Sequence, residues 1–150
     1  MTFYIEKRLP KEEVVLFHQI RTAVVNLPDP DLGFYPHNNP FSPGEKILVS
    51  CHMLARAVAK VFKLRYKDGN FLDSSLRHSW VLTPEGNIID LYPVATLGGP
   101  ILVDNVHSIF SLRMYVPCVA RKVSEGTFSS VWFLRGVRTL MRELRNPRLL

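Results

Sequence analysis

Apolar residues recur at helical spacing from Val14 to Val24, with Val14, Phe17, Ile20 and Val24 on one side of the segment. Pro10 opens it, because a first-turn residue has no use for an N–H donor. Glu12 and Glu13 suit the positive end of a helix that runs to about residue 26. The periodicity then stops. Residues 26–46 (NLPDPDLGFYPHNNPFSPGEK) carry prolines at 28, 30, 36, 40 and 43, which forbid a helix and disfavour a central strand. Phe34, Tyr35 and Phe41 can anchor this stretch as an ordered loop, and long loops in compact domains often wall a binding site.

A second helical pattern fills residues 51–64 (CHMLARAVAKVFKL), with Ser50 suited to the N-cap. Leu54, Val58, Val61 and Phe62 form its buried stripe, while Arg56, Lys60 and Lys63 are expected to face water. A short strand at Leu64–Tyr66 and a turn at Lys67-Asp68-Gly69-Asn70 follow. Two further strands, Arg77–Thr83 and Asn87–Tyr92, are joined by Pro-Glu-Gly, and Gly98-Gly99-Pro100 breaks the chain again. Residues 114–123 read as a strand whose Pro117 marks an edge or a bulge, and 129–146 as an amphipathic helix. The order helix, loop, helix, strands, helix describes one α+β domain spanning residues 1–150.

Composition agrees with a folded domain: hydrophobic residues make up 47% of the chain and charged residues 21%. No window approaches eighteen uninterrupted apolar residues, and the N-terminus meets Glu6, Lys7 and Arg8 before any long apolar run. A cytoplasmic protein is the expectation, with a secreted effector left open. The two cysteines, Cys51 and Cys118, are too few for a disulfide scaffold or a cysteine-based zinc module, so free thiols are expected.

Cys51 falls in the first turn of a helix, where unpaired N–H groups and the dipole favour an anion and lower a thiol pKa. It lies on the stripe of Leu54, Val58 and Phe62, whereas His52, about 100° further round, shares its side with Arg56, Ala59 and Lys63 and is poorly aimed to partner it. In Thr83-Pro84-Glu85-Gly86-Asn87, Pro84 fits the first central position of a type I turn and Gly86 supplies the positive φ of a three-residue loop with a bulge. That loop sets Thr83 against Asn87, Trp80 against Asp90 and His78 against Tyr92. His78 and Asp90 are then diagonal neighbours on one face, within reach of a hydrogen bond. A two-residue loop would put them on opposite faces.

A histidine held by a carboxylate has its tautomer fixed and its other nitrogen available to take a thiol proton. Taken singly, each residue has a structural account: a small buried thiol, a strand histidine bonded to a carbonyl, an acid at a strand end. Their conjunction points instead to Cys51 as nucleophile, His78 as base and Asp90 as the acid that orients it. Trp80, opposite Asp90, is placed either to shield the His–Asp bond or simply to fill core. Cys118 has no nearby helix start or base and reads as structural.

The order Cys, His, Asp, with S-C-H-M-L-A-R-A on a helix and R-H-S-W-V-L…G-N-I-I-D-L-Y-P on a hairpin, resembles the transglutaminase-like branch of papain-fold cysteine enzymes, of the bacterial transglutaminase-like cysteine peptidase type. The likeness covers roughly residues 45–94. It implies a cysteine-bearing helix packed on a small antiparallel sheet, flanked here by N- and C-terminal helices. It also implies a Cys51 thioester, with peptidase or amidase chemistry ahead of transglutaminase or deamidase chemistry. The sequence departs from that pattern in the short stretch between Cys51 and His78 and in the lack of an assignable side-chain oxyanion donor, for which Gln19, Asn38 and Asn39 are candidates by residue type.

Neither a metal nor an organic cofactor is expected, since Cys51 and His52 diverge on a helix and no metal-type spacing joins them to His78 and Asp90. A peptide or protein is the expected substrate. The net charge of +6 is uneven: residues 1–112 hold eleven Lys/Arg and eleven Asp/Glu, and 113–150 hold eight basic residues against Glu125 and Glu143. On the last helix Leu134, Val137, Met141 and Leu144 make an apolar stripe, while Arg135, Arg138, Arg142 and Arg145 fall together on another face, with Arg148 beyond. That face is either a solvated side of a docked helix or a platform for an acidic partner or nucleic acid. The second account defines the rival reading, a decayed site acting as a binding adaptor.

Overall fold

The computed structural model describes residues 9–27, 49–71, 76–91, 100–105, 115–117 and 130–145. Three helices, α1 (Lys11–Val25), α2 (Cys51–Phe62) and α3 (Val131–Arg145), accompany five strands: β1 (Arg65–Phe71), β2 (Leu76–Leu82), β3 (Ile88–Asp90), β4 (Ile101–Val103) and β5 (Tyr115–Pro117). The strands form one antiparallel sheet in the order β4-β3-β2-β1-β5, so the fold is α+β as the pattern predicts. Pro117 sits on the edge strand β5, where its missing donor breaks no ladder. The Pro-rich loop of residues 28–46, with Phe34, Tyr35, Asn38, Asn39 and Phe41, lies outside the described residues, as do Tyr92, Cys118, the remainder of the predicted 114–123 strand and Arg148.

The two faces of β2 divide the molecule. Val81 faces the main core with Ile89, Leu91 and Leu102, where Phe17, Ile20 and Val24 of α1, Leu54 and Val58 of α2, and Val137 and Leu140 of α3 bury their apolar stripes. The alternate residues Trp80 and Leu82 face a smaller cluster with Ile88, Tyr115, Phe71 and Val103. α2 packs on β2 and β1, and α3 packs on α2.

Three expectations are corrected. β1 does not end at Tyr66: it runs through Lys67-Asp68-Gly69-Asn70 to Phe71 as a regular partner of β2. Gly69 is no turn residue. A Cβ there would stand 2.2 Å from the Val116 carbonyl oxygen and 2.7 Å from the Trp80 ring, so glycine is what allows β5 and the indole to close on β1. Arg56 does not face water. It is 9% exposed, bonded through both terminal nitrogens to Asp68 at 3.0 and 2.7 Å, and stacked 4.5 Å from the Tyr66 ring centroid and 5.4 Å from that of Phe133. Around Arg56 the side of α2 opposite its apolar stripe is covered by β1 and α3, which no local pattern reveals, while Lys60 and Lys63 on that side are exposed as expected. Lastly, α3 buries Phe133, Val137, Leu140 and Leu144, leaving Leu134 40% exposed. The predicted and observed stripes share Val137 and Leu144 and are equally regular; contact of the Phe133 ring with Arg56 accompanies the second.

The β2–β3 hairpin has the predicted register, with Val81 opposite Ile89 and Leu82 opposite Ile88. Thr83 N–H donates to the Asn87 carbonyl at 2.9 Å, Gly86 N–H donates back to Thr83 at 2.9 Å, and Gly86 has φ +88°. A carboxylate from α1 clamps this loop. Glu13, 3% exposed, accepts from Thr83 Oγ1 at 2.6 Å, Asn87 Nδ2 at 2.6 Å and the Glu85 N–H at 3.1 Å. Asn105, after β4, closes the other side by donating to Asn87 Oδ1 and to the Gly86 carbonyl. Replacing Glu13 by Ala strands these buried donors, so urea unfolding of Glu13→Ala should show a loss of about 2–3 kcal/mol; an unchanged midpoint would remove the clamp from the account.

Candidate active site

Cys51 is the first residue of α2. Ser50 is its N-cap: Oγ accepts from the Met53 N–H at 3.2 Å and the carbonyl from the Leu54 N–H at 3.0 Å. With Met53 and Leu54 bonded to Ser50, the N–H groups of Cys51 and His52 are the ones in this first turn with no acceptor inside the helix, and Cys51 itself is half-buried.

The structure brings Cys51, His78 and Asp90 together. His78 Nε2 donates to Asp90 Oδ1 at 2.8 Å, both side chains being buried, and the Cys51 thiol and the same imidazole each favour the other's charged form. With Nε2 committed to the carboxylate, Nδ1 is the nitrogen that can exchange a proton with sulfur. The second carboxylate oxygen of Asp90 accepts from Tyr115 Oη at 2.8 Å. Rings of Phe71, Trp80 and Tyr115 lie within 5.6, 6.2 and 6.5 Å of the imidazole centroid, which keeps the His–Asp bond in apolar surroundings.

His52 is placed differently from the expectation. Its ring acts on the Cys51 thiol as a second partner favouring the thiolate. A 100° step between neighbours on a helix ignores the length of an imidazole arm and the hold of a strand beneath it. Ser79, the residue after His78 and so on the other face of β2, takes His52 Nδ1 at 2.6 Å. The Ser79 hydroxyl in turn donates to Asp68 Oδ1, the carboxylate that Arg56 grips.

Electrostatics follow from these contacts. Burial by itself would push the Cys51 thiol up, but hydrogen bonds and charge from His52 and His78 outweigh it and pull the thiol down to about 6. Burial would likewise depress His78; the Asp90 bond and charge, with the Cys51 thiolate, raise it to about 9. Burial, the Asp90 charge and the bond to that carboxylate push Tyr115 far above the usual phenol range, so it stays a donor. From about pH 6 to about pH 9 the pair is therefore thiolate and imidazolium.

Of the candidate oxyanion donors, Gln19 is exposed on α1, and Asn38 and Asn39 lie outside the described residues. Among the described residues no group of three His, Cys, Asp or Glu side chains is disposed to hold a metal, and no helix is long and apolar enough to cross a membrane. Sequence reasoning missed Tyr115 and the set His52, Ser79, Asp68 and Arg56. The signal it had for the set was the adjacency of His78 and Ser79; for Tyr115 there was none, because nothing local fixes which residues of β5 meet β1.

Comparison of the chain with known protein families, curated proteins and solved structures finds no match. The site's chemistry thus rests on its own geometry. Because the thiol is the titrating group and its thiolate the reactive form, alkylation of Cys51 by iodoacetamide should rise through about pH 6 and be near its plateau at neutrality. An ordinary thiol rises only near about pH 8.5. Mass spectrometry of the labelled peptide across pH reads this directly.

Proposed function

We propose that the chain is a thiol-dependent hydrolase or acyltransferase acting on a peptide, isopeptide or carboxamide bond, organised as in transglutaminase-like, papain-fold cysteine enzymes. One observation carries the reading: a histidine whose Nε2 donates at 2.8 Å to a buried carboxylate is electrostatically paired with a thiol at the first residue of a helix.

In this reading the Cys51 thiolate attacks the carbonyl carbon, and the negative charge passes to the carbonyl oxygen. The backbone N–H of Cys51, in the first turn of α2, would receive that charge. The C–N bond breaks as imidazolium His78 gives its proton to the leaving amine, and a Cys51 thioester remains. Neutral His78 then takes a proton from water or a second amine, which attacks the thioester. The C–S bond breaks, sulfur leaves as thiolate, and His78 is again imidazolium. Asp90 keeps the ring in one tautomer and stabilises its charged form, and Tyr115 keeps Asp90 in place.

The adaptor reading has its own support. Arg138, Arg142 and Arg145 are exposed on α3 and, with Met141, border an open cavity of about 390 Å³, while Arg135 is only partly exposed. An acidic partner bound there would be released by salt and retained by Cys51→Ala.

For the enzyme, Cys51 should alkylate well ahead of Cys118 at neutral pH. Turnover of a peptide-amide library, read as new carboxylates or amines by mass spectrometry, should vanish in Cys51→Ala and fall by about 10²–10⁴-fold in His78→Ala. Equal, slow labelling of both thiols together with absence of turnover would defeat the reading.

A further inference from the structure

The Cys51 thiol is influenced by two imidazoles, His52 and His78, and each ring is tied to a carboxylate. His78 reaches Asp90 directly; His52 reaches Asp68 through the Ser79 hydroxyl. We propose that His52 is a second catalytic imidazole, fixed by Ser79, Asp68 and Arg56, which shares the proton and charge of the thiol so that the nucleophile does not rest on His78 alone. This rests on the thiol-enzyme reading and deepens it.

The direction of the hydrogen bonds makes the assignment. Asp68 is held by both terminal nitrogens of Arg56, at 3.0 and 2.7 Å, and is an acceptor only. The Ser79 hydroxyl proton is directed at Asp68, so the oxygen of Ser79 must accept from His52. Nδ1 of His52 therefore carries a proton, and Nε2 is the nitrogen able to exchange one with sulfur. Arg56 completes the tether by donating at 3.2 Å to the carbonyl of His52 itself. Among the described residues, the titratable and charged groups around the ring are Cys51 and Arg56 of its own helix, Asp68 of β1 and His78 of β2. A ring so tethered cannot swing freely without breaking a chain that ends in a part-buried, bidentate ion pair.

Two histidines allow the acid–base work to be divided. When His78 surrenders its proton to the leaving amine and later takes one from water, His52 stays tethered through Ser79 and Asp68. It is on hand to stabilise the sulfur as it leaves the thioester. Loss of His78 should then remove turnover while leaving an acidic thiol. Loss of His52 should leave a competent His78 beside a less acidic thiol.

The test is the pH profile of Cys51 alkylation by iodoacetamide in the full chain, for the unaltered protein and for His52→Ala, His52→Gln, Ser79→Ala and His78→Ala, with circular dichroism confirming each fold. Glutamine keeps a donor for Ser79 but carries no charge, so it serves where alanine perturbs the helix. The midpoint should move up by at least about one pH unit, a tenfold loss of rate below it, in either His52 variant. It should move less in Ser79→Ala and stay below that of an ordinary thiol in His78→Ala. An unmoved midpoint in both His52 variants, or an ordinary midpoint in His78→Ala alone, overturns the role of His52 and leaves the enzyme reading standing. An ordinary midpoint in the unaltered protein sinks both.

Discussion

A single residue of register decides whether this protein has a site at all. Side chains alternate along β2 and β3, so one residue more or less in the loop between them would turn Asp90 to the helix-covered face and leave His78 without its carboxylate. The loop length is enforced from within by Gly86 at positive φ and from outside by Glu13, whose buried carboxylate accepts three donors from Thr83, Glu85 and Asn87. A helix 70 residues upstream in the chain thus holds the turn that aims the acid. Stability and chemistry meet in that clamp, because the same bonds satisfy buried polar groups and fix strand pairing.

Around the sulfur, desolvation and charge oppose each other. A half-buried thiol in apolar surroundings is a poor acid, and burial is the largest single influence on Cys51. What reverses it is the hydrogen bonding and charge of two imidazoles acting together. Consecutive residues supply the arrangement twice over: Cys51 and His52 at the start of α2, His78 and Ser79 in β2. Since neighbours on a strand point to opposite faces, His78 works on the aromatic side with Asp90 and Tyr115, and Ser79 on the helical side with His52 and Asp68.

Features governed by short-range rules were legible in the sequence. Ser50 capping α2, Pro84 and Gly86 setting a three-residue loop, and the resulting approach of His78 to Asp90 all follow from residues within a few positions of one another. What escaped was docking between distant segments. Asp68 and Gly69 resemble a turn until β5 and Trp80 are known to close on them, and Arg56 resembles a solvent residue until α3 covers it. Two stripes of equal regularity compete on α3, and only contact with α2 selects one. The buried role of Glu13 belongs to the same class. Its place near a helix start is explained locally, but its partners lie across the molecule.

The side chains proposed for the chemistry all fall between residues 51 and 90, a span short enough to suggest a helix and hairpin that could be lifted out and grafted elsewhere. The carboxylate of Asp90 forbids it. One of its oxygens is spoken for by Tyr115, on a strand that joins the far edge of the sheet after the whole of that span has been made. The smallest unit that keeps this arrangement is therefore the whole five-stranded sheet with its helices. During synthesis the acid would wait for the last strand before its final position was set.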